Sequence, residues 1–445
     1  FYGSSNNNLG KITLSGNITK IGDYAFCNFE GEIAGDLSSV EQVGEYAFAV
    51  EKSYDGEARQ SLNIGSAEHD LVLGANAFAL APVTALTLTA RSITFGQNSL
   101  AGKIENITIN AEQGFTLYDK NVFSGGSTSG LVLKQLHINA NNIDILQNTF
   151  STYFNELQTV VIEGDNISVG EYAFYKCTSL NSVTIQGDNV SIGENAFYIN
   201  SGLKTLVLNG NGITIGEWAF YKSTALTDVT LSGSDIVIGD YAFRGCSALT
   251  DIELTCVTAI GEYAFYDCAL LNSVMIQGDN VSIGKYAFYA NSGLKTLVLN
   301  GSGITIGTGA FYDCETLTDV TLSGSNIVIG QLAFRGCTAL TGIDLSCVTE
   351  IGEEAFALAG ITQINIPENV LTMGSAVFNE STVTVTVYFE EGALPEGWAA
   401  DWADDMNEGS LIIYAQPEEG EGGGNTEGTG SGNTEGTGTQ EGIQE

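Results

Sequence analysis

Side chains that could carry acid–base or metal chemistry are few in this 445-residue chain. Its two histidines, His69 and His137, lie far apart in the sequence, without cysteines or carboxylates at metal-ligand spacing. Zinc sites and histidine-based catalysis both need such clusters. Asp251 and Glu253 would share one strand face, but a chain with 53 acidic residues places some carboxylates together by chance. We therefore predict no catalytic residue, no metal site and no cofactor.

Two further motifs are missing from the sequence. No D-x-D-x-D-G calcium loop occurs, although calcium at the acidic loops stays an alternative. The many glycines never form the phosphate-binding phrase G-x-x-x-x-G-K-S/T. Glycine instead recurs at regular intervals, which indicates turns in a repeated structure.

Eight cysteines offer disulfide or metal chemistry. Five lie three residues after a recurring phenylalanine: Cys177, Cys246, Cys268, Cys314 and Cys337. Asn200, Ser223 and Asn291 fill this place in other repeats, and no C-x-x-C pair has zinc spacing. The pattern favours a structural column of buried, reduced thiols. Disulfides between neighbouring repeats are the alternative.

The recurring phenylalanine defines the organisation of the chain. From Phe174 to Phe378 it recurs at a regular step of about 22 to 23 residues and nearly always closes the phrase Ile-Gly-x-x-Ala-Phe, the sign of a repeat protein. A period of roughly 20 to 30 residues indicates a solenoid, in which each unit stacks on the next. Residues 180–265 also match residues 271–356 at an offset of 91, which indicates a duplicated four-repeat block. With the earlier, less regular repeats there are 16 positions: Phe26, Phe48, Phe78, Leu100, Phe123, Phe150, Phe174, Phe197, Phe220, Phe243, Phe265, Phe288, Phe311, Phe334, Phe356 and Phe378.

One repeat, LKTLVLNGNGITIGEWAFYKS at residues 203–223, shows how each unit folds. Its L-x-x-L-x-L pattern predicts a strand with alternate side chains buried. Glycines then predict a turn, and Ile-x-Ile predicts a second short strand. Ala219 and Phe220 reach the core from a 3₁₀ or single helical turn. The predicted fold is a β-dominated leucine-rich-repeat solenoid of the α/β horseshoe type, with about 16 coils of roughly 22–23 residues each.

The repeat also divides the chain. Residues 12–378 form the predicted solenoid, and residues 1–11 its N-terminal edge or a truncated lead-in. Residues 379–416 are predicted to cap the open end, with Trp398 and Trp402 on a short helical turn packed onto the last coil. Binding of a sugar ring by these two indoles is the alternative. Residues 417–445, rich in Gly, Thr and Glu, predict a disordered acidic linker.

Charge restricts the partners. The chain has 15 basic and 53 acidic residues, a formal net charge of −38. Nucleic acids and anionic bilayers are bound through basic patches, so neither is expected as a partner. No apolar run is long enough for direct membrane insertion.

The repeat resembles a known family. VGEYAFYKCTSLNSVTI, Val169 to Ile185, is closely similar to the repeat of the BspA-like leucine-rich-repeat proteins of bacterial surfaces, and the same cycle recurs at Ile260 to Ile276. The resemblance covers about residues 12–378. The ending LPEGWAADWADD resembles the terminal segment of such arrays in gut bacteria. The resemblance implies a secreted or wall-attached protein that binds host matrix proteins, other bacteria or glycans.

Two surfaces of the solenoid are candidates for binding. The outward strand positions, such as Thr205, Val207 and Asn209, give a lattice of short polar side chains. Aromatic columns suit stacking on sugars or packing against protein, or they could simply cover the edge of the core. One column directly follows the repeat phenylalanine, with Arg244 and Arg335 in the same place: Tyr175, Tyr198, Tyr221, Tyr266, Tyr289 and Tyr312. The other lies two residues before it: Tyr172, Trp218, Tyr241, Tyr263 and Tyr286.

These features predict an extracellular, non-enzymatic binding or adhesion module. Its ligand would be a protein or glycan on a host or bacterial surface, held by many weak, repeated contacts. One alternative is a structural stalk that presents a missing domain. The other is the targeting arm of a truncated enzyme.

Overall fold

The computed structural model describes residues 10–29, 31–50, 60–81, 83–117, 122–123, 132–151, 154–390 and 392–415. The predicted linker, residues 417–445, and most of the predicted N-terminal edge lie outside the described residues. The described chain forms a parallel β-solenoid of about 16 coils. This confirms the predicted fold class.

Each coil has three sides: a long-strand side, a short-strand side and a turn side. The strands of the long-strand side are β1 (Lys11–Thr13), β3 (Glu32–Ala34), β5 (Gln60–Ile64), β7 (Val83–Ala90), β9 (Asn106–Ala111), β11 (Gln135–Ala140), β13 (Thr159–Glu163), β15 (Ser182–Gln186), β17 (Thr205–Asn211), β19 (Asp228–Ser234), β21 (Asp251–Leu254), β23 (Ser273–Gln277), β25 (Thr296–Asn300), β27 (Asp319–Ser323), β30 (Gln363–Ile366), β32 (Thr384–Val387) and β34 (Leu411–Tyr414). Those of the short-strand side are β2 (Lys20–Ile21), β4 (Gln42–Val43), β6 (Leu71–Leu73), β8 (Ile93–Phe95), β10 (Phe115–Leu117), β12 (Ile143–Ile145), β14 (Ile167–Val169), β16 (Val190–Ile192), β18 (Thr214–Ile215), β20 (Ile236–Ile238), β22 (Val257–Ile260), β24 (Ser282–Ile283), β26 (Thr305–Ile306), β28 (Ile327–Ile329), β29 (Val348–Ile351), β31 (Thr372–Met373) and β33 (Gly397–Trp398).

The strand pairing places equivalent residues of successive coils side by side. The long-strand side contains parallel sheets of two, eight, four and three strands, and the short-strand side contains sheets of four and 13. Ser182 pairs with Thr205, and Thr205 pairs with Asp228. At the two places where the repeat shortens from 23 to 22 residues, the register shifts, after Ile236 and again after Ile327. A missing residue is thus absorbed by a local irregularity, and the columns continue past it.

The core is a continuous column of phenylalanine rings. From Phe150 to Phe378, consecutive rings stack at centroid distances of 4.9–5.9 Å with interplanar angles of at most 11°. These rings are fully buried. Since no coil can bury its ring alone, the stack makes each coil depend on its neighbours.

The turn side differs in detail from the predicted helical or 3₁₀ turn. The N–H groups of Ala173 and Tyr175 donate to carbonyls three residues earlier, and those of Tyr172, Phe174 and Lys176 donate to the next coil. Tyr172 and Lys176 have φ near +55°. The alternation of backbone conformation directs every second N–H along the solenoid axis. These N–H groups are therefore satisfied alternately by the next coil and by turns within the coil, and not by a helix.

The last strands continue the solenoid beyond Phe378. Strand β33 extends the 13-stranded sheet, while β32 and β34 extend the long-strand side. The predicted helical turn is wrong for Trp398, which ends β33 and donates its indole N–H to the Val370 carbonyl at 3.0 Å. Trp402 lies on a hydrogen-bonded turn with its ring edge-on to Phe378. Both indoles are buried against the last coil, which leaves no open ring face for a sugar.

The cysteine column has a structural explanation. All eight cysteines are free. The five in the column donate their thiols to the phenylalanine carbonyl of the preceding coil at 3.2–3.4 Å. Asn200, Asn291 and Ser381 donate to the same kind of carbonyl. Cys, Asn and Ser therefore share a hydrogen-bonding role at most of these positions. The buried Ser223 hydroxyl, in the same column, has no partner among the described residues.

Replacement of one phenylalanine ring should show how strongly the stack contributes to the stability of the fold. We expect Phe265→Ala to lower the free energy of unfolding by about 3–5 kcal/mol, since it removes a fully buried ring and leaves a cavity. Thr230→Ala, at an exposed position of β19, should change it by less than about 0.5 kcal/mol. Urea unfolding followed by circular dichroism measures both. Equal shifts in the two variants would contradict this account of the core.

The buried thiols predict a pH dependence. Burial raises the pKa of Cys268 and of Cys314 to about 12, whereas an unfolded cysteine has a pKa of about 8.5. The unfolded chain therefore loses thiol protons that the folded chain keeps, and stability falls as pH rises above the unfolded pKa. The Cys268→Ser/Cys314→Ser variant keeps a donor at each position. It should lose less stability than wild type between pH 8 and pH 10 in urea titrations, and identical losses would refute the explanation.

Candidate binding surface on the turn side

The turn side carries the two predicted aromatic columns next to each other. The first ring column comprises Tyr172, Trp218, Tyr241, Tyr263 and Tyr286, and the second comprises Tyr175, Tyr198, Tyr221, Tyr266, Tyr289 and Tyr312. Together we call them the ring face. Every one of these side chains is partly exposed. The ring face extends over seven coils, from that of Phe174 to that of Phe311.

The first ring column occupies an unusual backbone position. Its five members have φ between +53° and +56°. Other coils place Asn148, Asn195 or Gly309 there, which are residue types that tolerate positive φ. For Tyr and Trp this conformation costs about 1–2 kcal/mol each. The aromatic residues are therefore held here against their local backbone preference.

Ring stacking along the first column offsets this cost. Trp218 and Tyr241 stack at 4.1 Å with an interplanar angle of 1°. Tyr241 stacks on Tyr263, and Tyr263 stacks on Tyr286, each at 5.2 Å. An aromatic pair contributes about 0.5–1.5 kcal/mol beyond its buried area. The faces of these rings are covered by their neighbours in the column.

The second ring column is interrupted once, by an arginine. Tyr198 stacks on Tyr221 at 4.8 Å, and Tyr266 stacks on Tyr289 at 5.1 Å. Arg244 lies between these two pairs. Its guanidinium carbon is 5.8 Å from the ring centre of Tyr221 and 4.7 Å from that of Tyr266. The cation thus continues the stack where a ring is missing.

Edge-to-face contacts join the two columns. Trp218 meets Tyr221 at 5.0 Å and 87°, and Tyr263 meets Tyr266 at 5.8 Å and 71°. Among the residues that the structure describes, no protein group accepts a hydrogen bond from a tyrosine hydroxyl of the ring face. The surface therefore offers ring edges and free hydroxyls to a partner. Open ring faces, which sugar stacking needs, are left mainly at the ends of the columns.

Acidic side chains run beside the first ring column. They are Glu171, Glu194, Glu217, Asp240 and Glu262. Glu217 accepts the indole N–H of Trp218 at 2.7 Å, and Asp240 accepts the backbone N–H of Glu262 at 2.6 Å. Burial, reinforced by acidic neighbours, raises the pKa of Tyr172 and of Tyr241. These phenols therefore stay neutral at physiological pH.

The other chemical groups do not assemble into a site. His137 Nε2 lies 3.0 Å from Glu163, and His69 lies 3.6 Å from Glu41. Neither pairing is evident from the sequence, because each carboxylate comes from another coil and no local spacing indicates it. Within the described ranges, no three His, Cys, Asp or Glu side chains are grouped so that they could hold a metal ion. The described part of the chain contains no helix with the length and apolar character needed to cross a lipid bilayer.

The balance between strain and stacking can be tested at two equivalent positions. Ala376 has φ of +47° and no ring to stack, so Ala376→Gly should leave the free energy of unfolding unchanged or raise it by up to about 1 kcal/mol. Tyr263→Gly relieves the same strain but removes the stacking contacts with Tyr241 and Tyr286. It should lower the free energy of unfolding by about 1–2 kcal/mol. Urea unfolding measures both. A gain in stability for Tyr263→Gly would show that stacking does not hold the column.

Comparison with known proteins gives the following matches. No curated protein matches the sequence. A leucine-rich repeat protein from Bacteroides ovatus is 19% identical, with 91% of this chain and 84% of that chain covered and a TM-score of 0.43. One from Eubacterium ventriosum is 18% identical, with 81% and 92% covered and a TM-score of 0.33. A leucine rich cell surface protein from Faecalibacterium prausnitzii is 22% identical, with 70% and 90% covered and a TM-score of 0.28.

A family model gives the identification. The model of the BspA type leucine rich repeat region matches in six copies, over residues 1–68, 71–198, 144–271 and 258–384. These ranges contain the phenylalanine column and nearly all of the paired strands. The chain therefore belongs to the family of BspA-type leucine-rich-repeat proteins.

Proposed function

We propose that this protein is an extracellular binding module of a bacterium that recognises another protein through its ring face. The observation that carries the proposal is the ring face itself: a continuous, partly exposed surface of Trp and Tyr side chains with Arg244 among them. Tyr, Trp and Arg dominate the energetics of protein interfaces. Leucine-rich-repeat proteins generally bind proteins, which supports the proposal.

The geometry favours a protein over a glycan. Sugars bind aromatic residues through open ring faces, and neighbouring rings cover most of those faces here. Ring edges and hydroxyls instead suit the mixed apolar and polar surface of a protein. The rings are already held in place by stacking, so little side-chain entropy is lost when a partner binds.

The repeat extends the contact along the solenoid. Equivalent side chains recur in seven successive coils, about 4.8 Å apart. A partner with an extended contact surface can therefore engage several coils at once, and individually weak contacts add up. The polar lattice of the long-strand side lacks large aromatic side chains and is expected to contribute less.

Family membership supports the location and the absence of catalysis in this proposal. Proteins with this repeat are described as cell-surface proteins, and their repeats are generally non-enzymatic scaffolds. We accordingly assign a role in adhesion or recognition outside the cell.

A structural stalk is the second candidate. The phenylalanine stack from Phe150 to Phe378 and the 13-stranded sheet favour it, because they make a stiff rod from repeated units. A stalk needs no binding surface. Changes in the ring face would then leave the function of the protein unaltered.

A binding screen with matched variants distinguishes the two candidates. Residues 1–415 are tested against immobilised host matrix proteins, mucin and a glycan array. The test variant changes Tyr198, Tyr221, Tyr266 and Tyr289 to Ser, and the control changes Thr184, Thr230 and Thr321 on the long-strand side to Ala. We expect saturable binding to a protein, weakened at least ten-fold by the tyrosine changes and unaffected by the threonine changes.

Circular dichroism establishes that both variants remain folded. Binding that survives the tyrosine changes, or preferential binding to glycans, would contradict the proposed surface. The absence of any binding would favour the stalk.

A further inference from the structure

The duplicated block allows one surface to be compared with a copy of itself. Residues 180–265 and 271–356 are identical at 66 of 86 aligned positions. Eleven of the first copy's positions lie in three columns of the turn side, which are formed by the third and second residues before the phenylalanine and by the second residue after it. Nine of these eleven differ between the copies, against eleven of the remaining 75.

Exposure alone does not explain this concentration of differences. The outward strand residues Thr205, Val207 and Asn209 are partly or fully exposed. Their counterparts in the second copy are identical residues, Thr296, Val298 and Asn300. The three columns have therefore diverged more than this exposed strand, whereas the second ring column of the turn side is identical in both copies at Tyr198, Tyr221 and Arg244.

One arginine is kept in both copies but has different surroundings. The guanidinium of Arg244 lies 4.7 Å from the ring centre of Tyr266, 5.5 Å from that of Trp218 and 5.8 Å from that of Tyr241. It forms no salt bridge with any carboxylate in the described part of the chain. The second copy's Arg335 forms a salt bridge with Glu354.

The substitutions around the two arginines account for this difference. Gly309, Leu332 and Ala357 stand where the first copy has Trp218, Tyr241 and Tyr266. Glu354 stands in the place of Tyr263, and Asp313 in the place of Lys222. Most of these rings are thus absent around Arg335. Two acidic side chains stand in new places there, while Glu217 and Asp240 of the first copy are replaced by Thr308 and Gln331. Arg335 has a carboxylate partner from its own chain, and Arg244 has none among the residues described.

A second cation lies beside Arg244. The backbone N–H of Lys222 donates to the backbone carbonyl of Arg244 at 2.9 Å. The Lys222 side chain runs past Gly245, where an added Cβ would lie 3.3 Å from its Cγ. Its ammonium group is 5.3 Å from the ring centre of Tyr221. A chain of net charge −38 therefore presents two adjacent cations among the rings, neither in a salt bridge with a described residue.

The chemistry of Arg244 and Lys222 indicates that this part of the ring face binds an anion. The Arg244 guanidinium carbon lies 4.7–5.8 Å from four ring centres. Its N–H groups form a planar fork whose geometry matches a carboxylate. Partial removal from water strengthens such a pair. A polyanion would meet the repulsion of the whole chain, whereas one carboxylate on a partner surface meets only its local surroundings. The covered ring faces disfavour acidic sugars as well.

We propose that Arg244, assisted by Lys222, is the centre of the ring face and takes an Asp or Glu side chain of the protein partner. This inference rests on the proposed function and deepens it. The rings of Trp218, Tyr221 and Tyr266 hold the guanidinium and surround the contact with apolar edges. The second copy lacks this centre, so the specific contact lies in the coils of Phe220 to Phe265.

Random linear peptides displayed on phage provide the probe. The library is panned on the full chain, and we expect the enriched peptides to carry an Asp or Glu next to aromatic or apolar residues. The best peptide and its Asp→Asn or Glu→Gln form are then titrated against wild type, Arg244→Gln and Arg335→Gln. We expect at least a ten-fold loss of affinity for Arg244→Gln with the acidic peptide, and no change for Arg335→Gln.

These titrations form a double-mutant cycle, which gives the coupling free energy between Arg244 and the peptide carboxylate. Arg244→Gln should cause little further loss with the amide peptide, because the partner carboxylate is already gone. Arg244→Lys keeps the charge without the planar fork and should bind between wild type and Arg244→Gln. Circular dichroism and the thermal midpoint establish that each variant is folded.

Each other outcome would overturn the inference. Enriched peptides without an acidic residue, equal effects of the two arginine variants, or no enriched peptide would each do so. Heparin or hyaluronan that binds more tightly than the peptides in an Arg244-dependent way would assign the centre to an acidic glycan. If Tyr241→Ser and Tyr266→Ser abolish peptide binding but Arg244→Gln does not, the inference fails and the proposed function stands. If none of these three substitutions affects peptide binding, both the inference and the proposed function fail.

Discussion

The stacking of each coil on the next is the interaction on which the rest of the structure depends. It is expressed in the phenylalanine column, where a fully buried ring lies about 5 Å from the ring of each neighbouring coil. The same stacking distance is imposed on every surface column. The ring face forms because aromatic residues at equivalent positions are brought within stacking distance by the core beneath them. The surface is therefore a consequence of the repeat, while its chemistry depends on which side chain each coil supplies.

The sequence predicts the repeated parts of this structure well and the contacts between coils less well. The two strands of each coil and the buried Phe174-type position follow from hydrophobic spacing, because burial leaves a periodic pattern. The positive φ of Tyr172 could not be predicted, since a bulky residue does not favour that conformation. The pairing of His137 with Glu163 depends on the register between two neighbouring coils, which no local pattern reveals. The predicted ring-face residues do lie together, yet their role in binding stays a prediction.

The different surroundings of Arg244 and Arg335 show what a repeat can and cannot conserve. Core positions such as Phe243 and Phe334 are constrained by packing, so the duplicated block retains them. Turn-side positions are free of that constraint, and the two copies differ there. Arg244 lies among aromatic rings, whereas Arg335 forms a salt bridge with Glu354. Sequence inspection alone shows the same residue in both places. Only the register of neighbouring coils reveals that one guanidinium has a carboxylate partner within the described chain and the other has none.

The central claim is that partner binding is located on the ring face. Hydroxyl-radical footprinting of the protein, free and bound to the partner found in the screen, tests this most directly because it reports on each side chain without mutation. The account predicts that oxidation of Trp218, Tyr221, Tyr241 and Tyr266 slows on binding, while that of Tyr24, Tyr46 and Met275 does not change. Protection confined to the long-strand side or to the last strands, with the ring face oxidised as in the free protein, would contradict it.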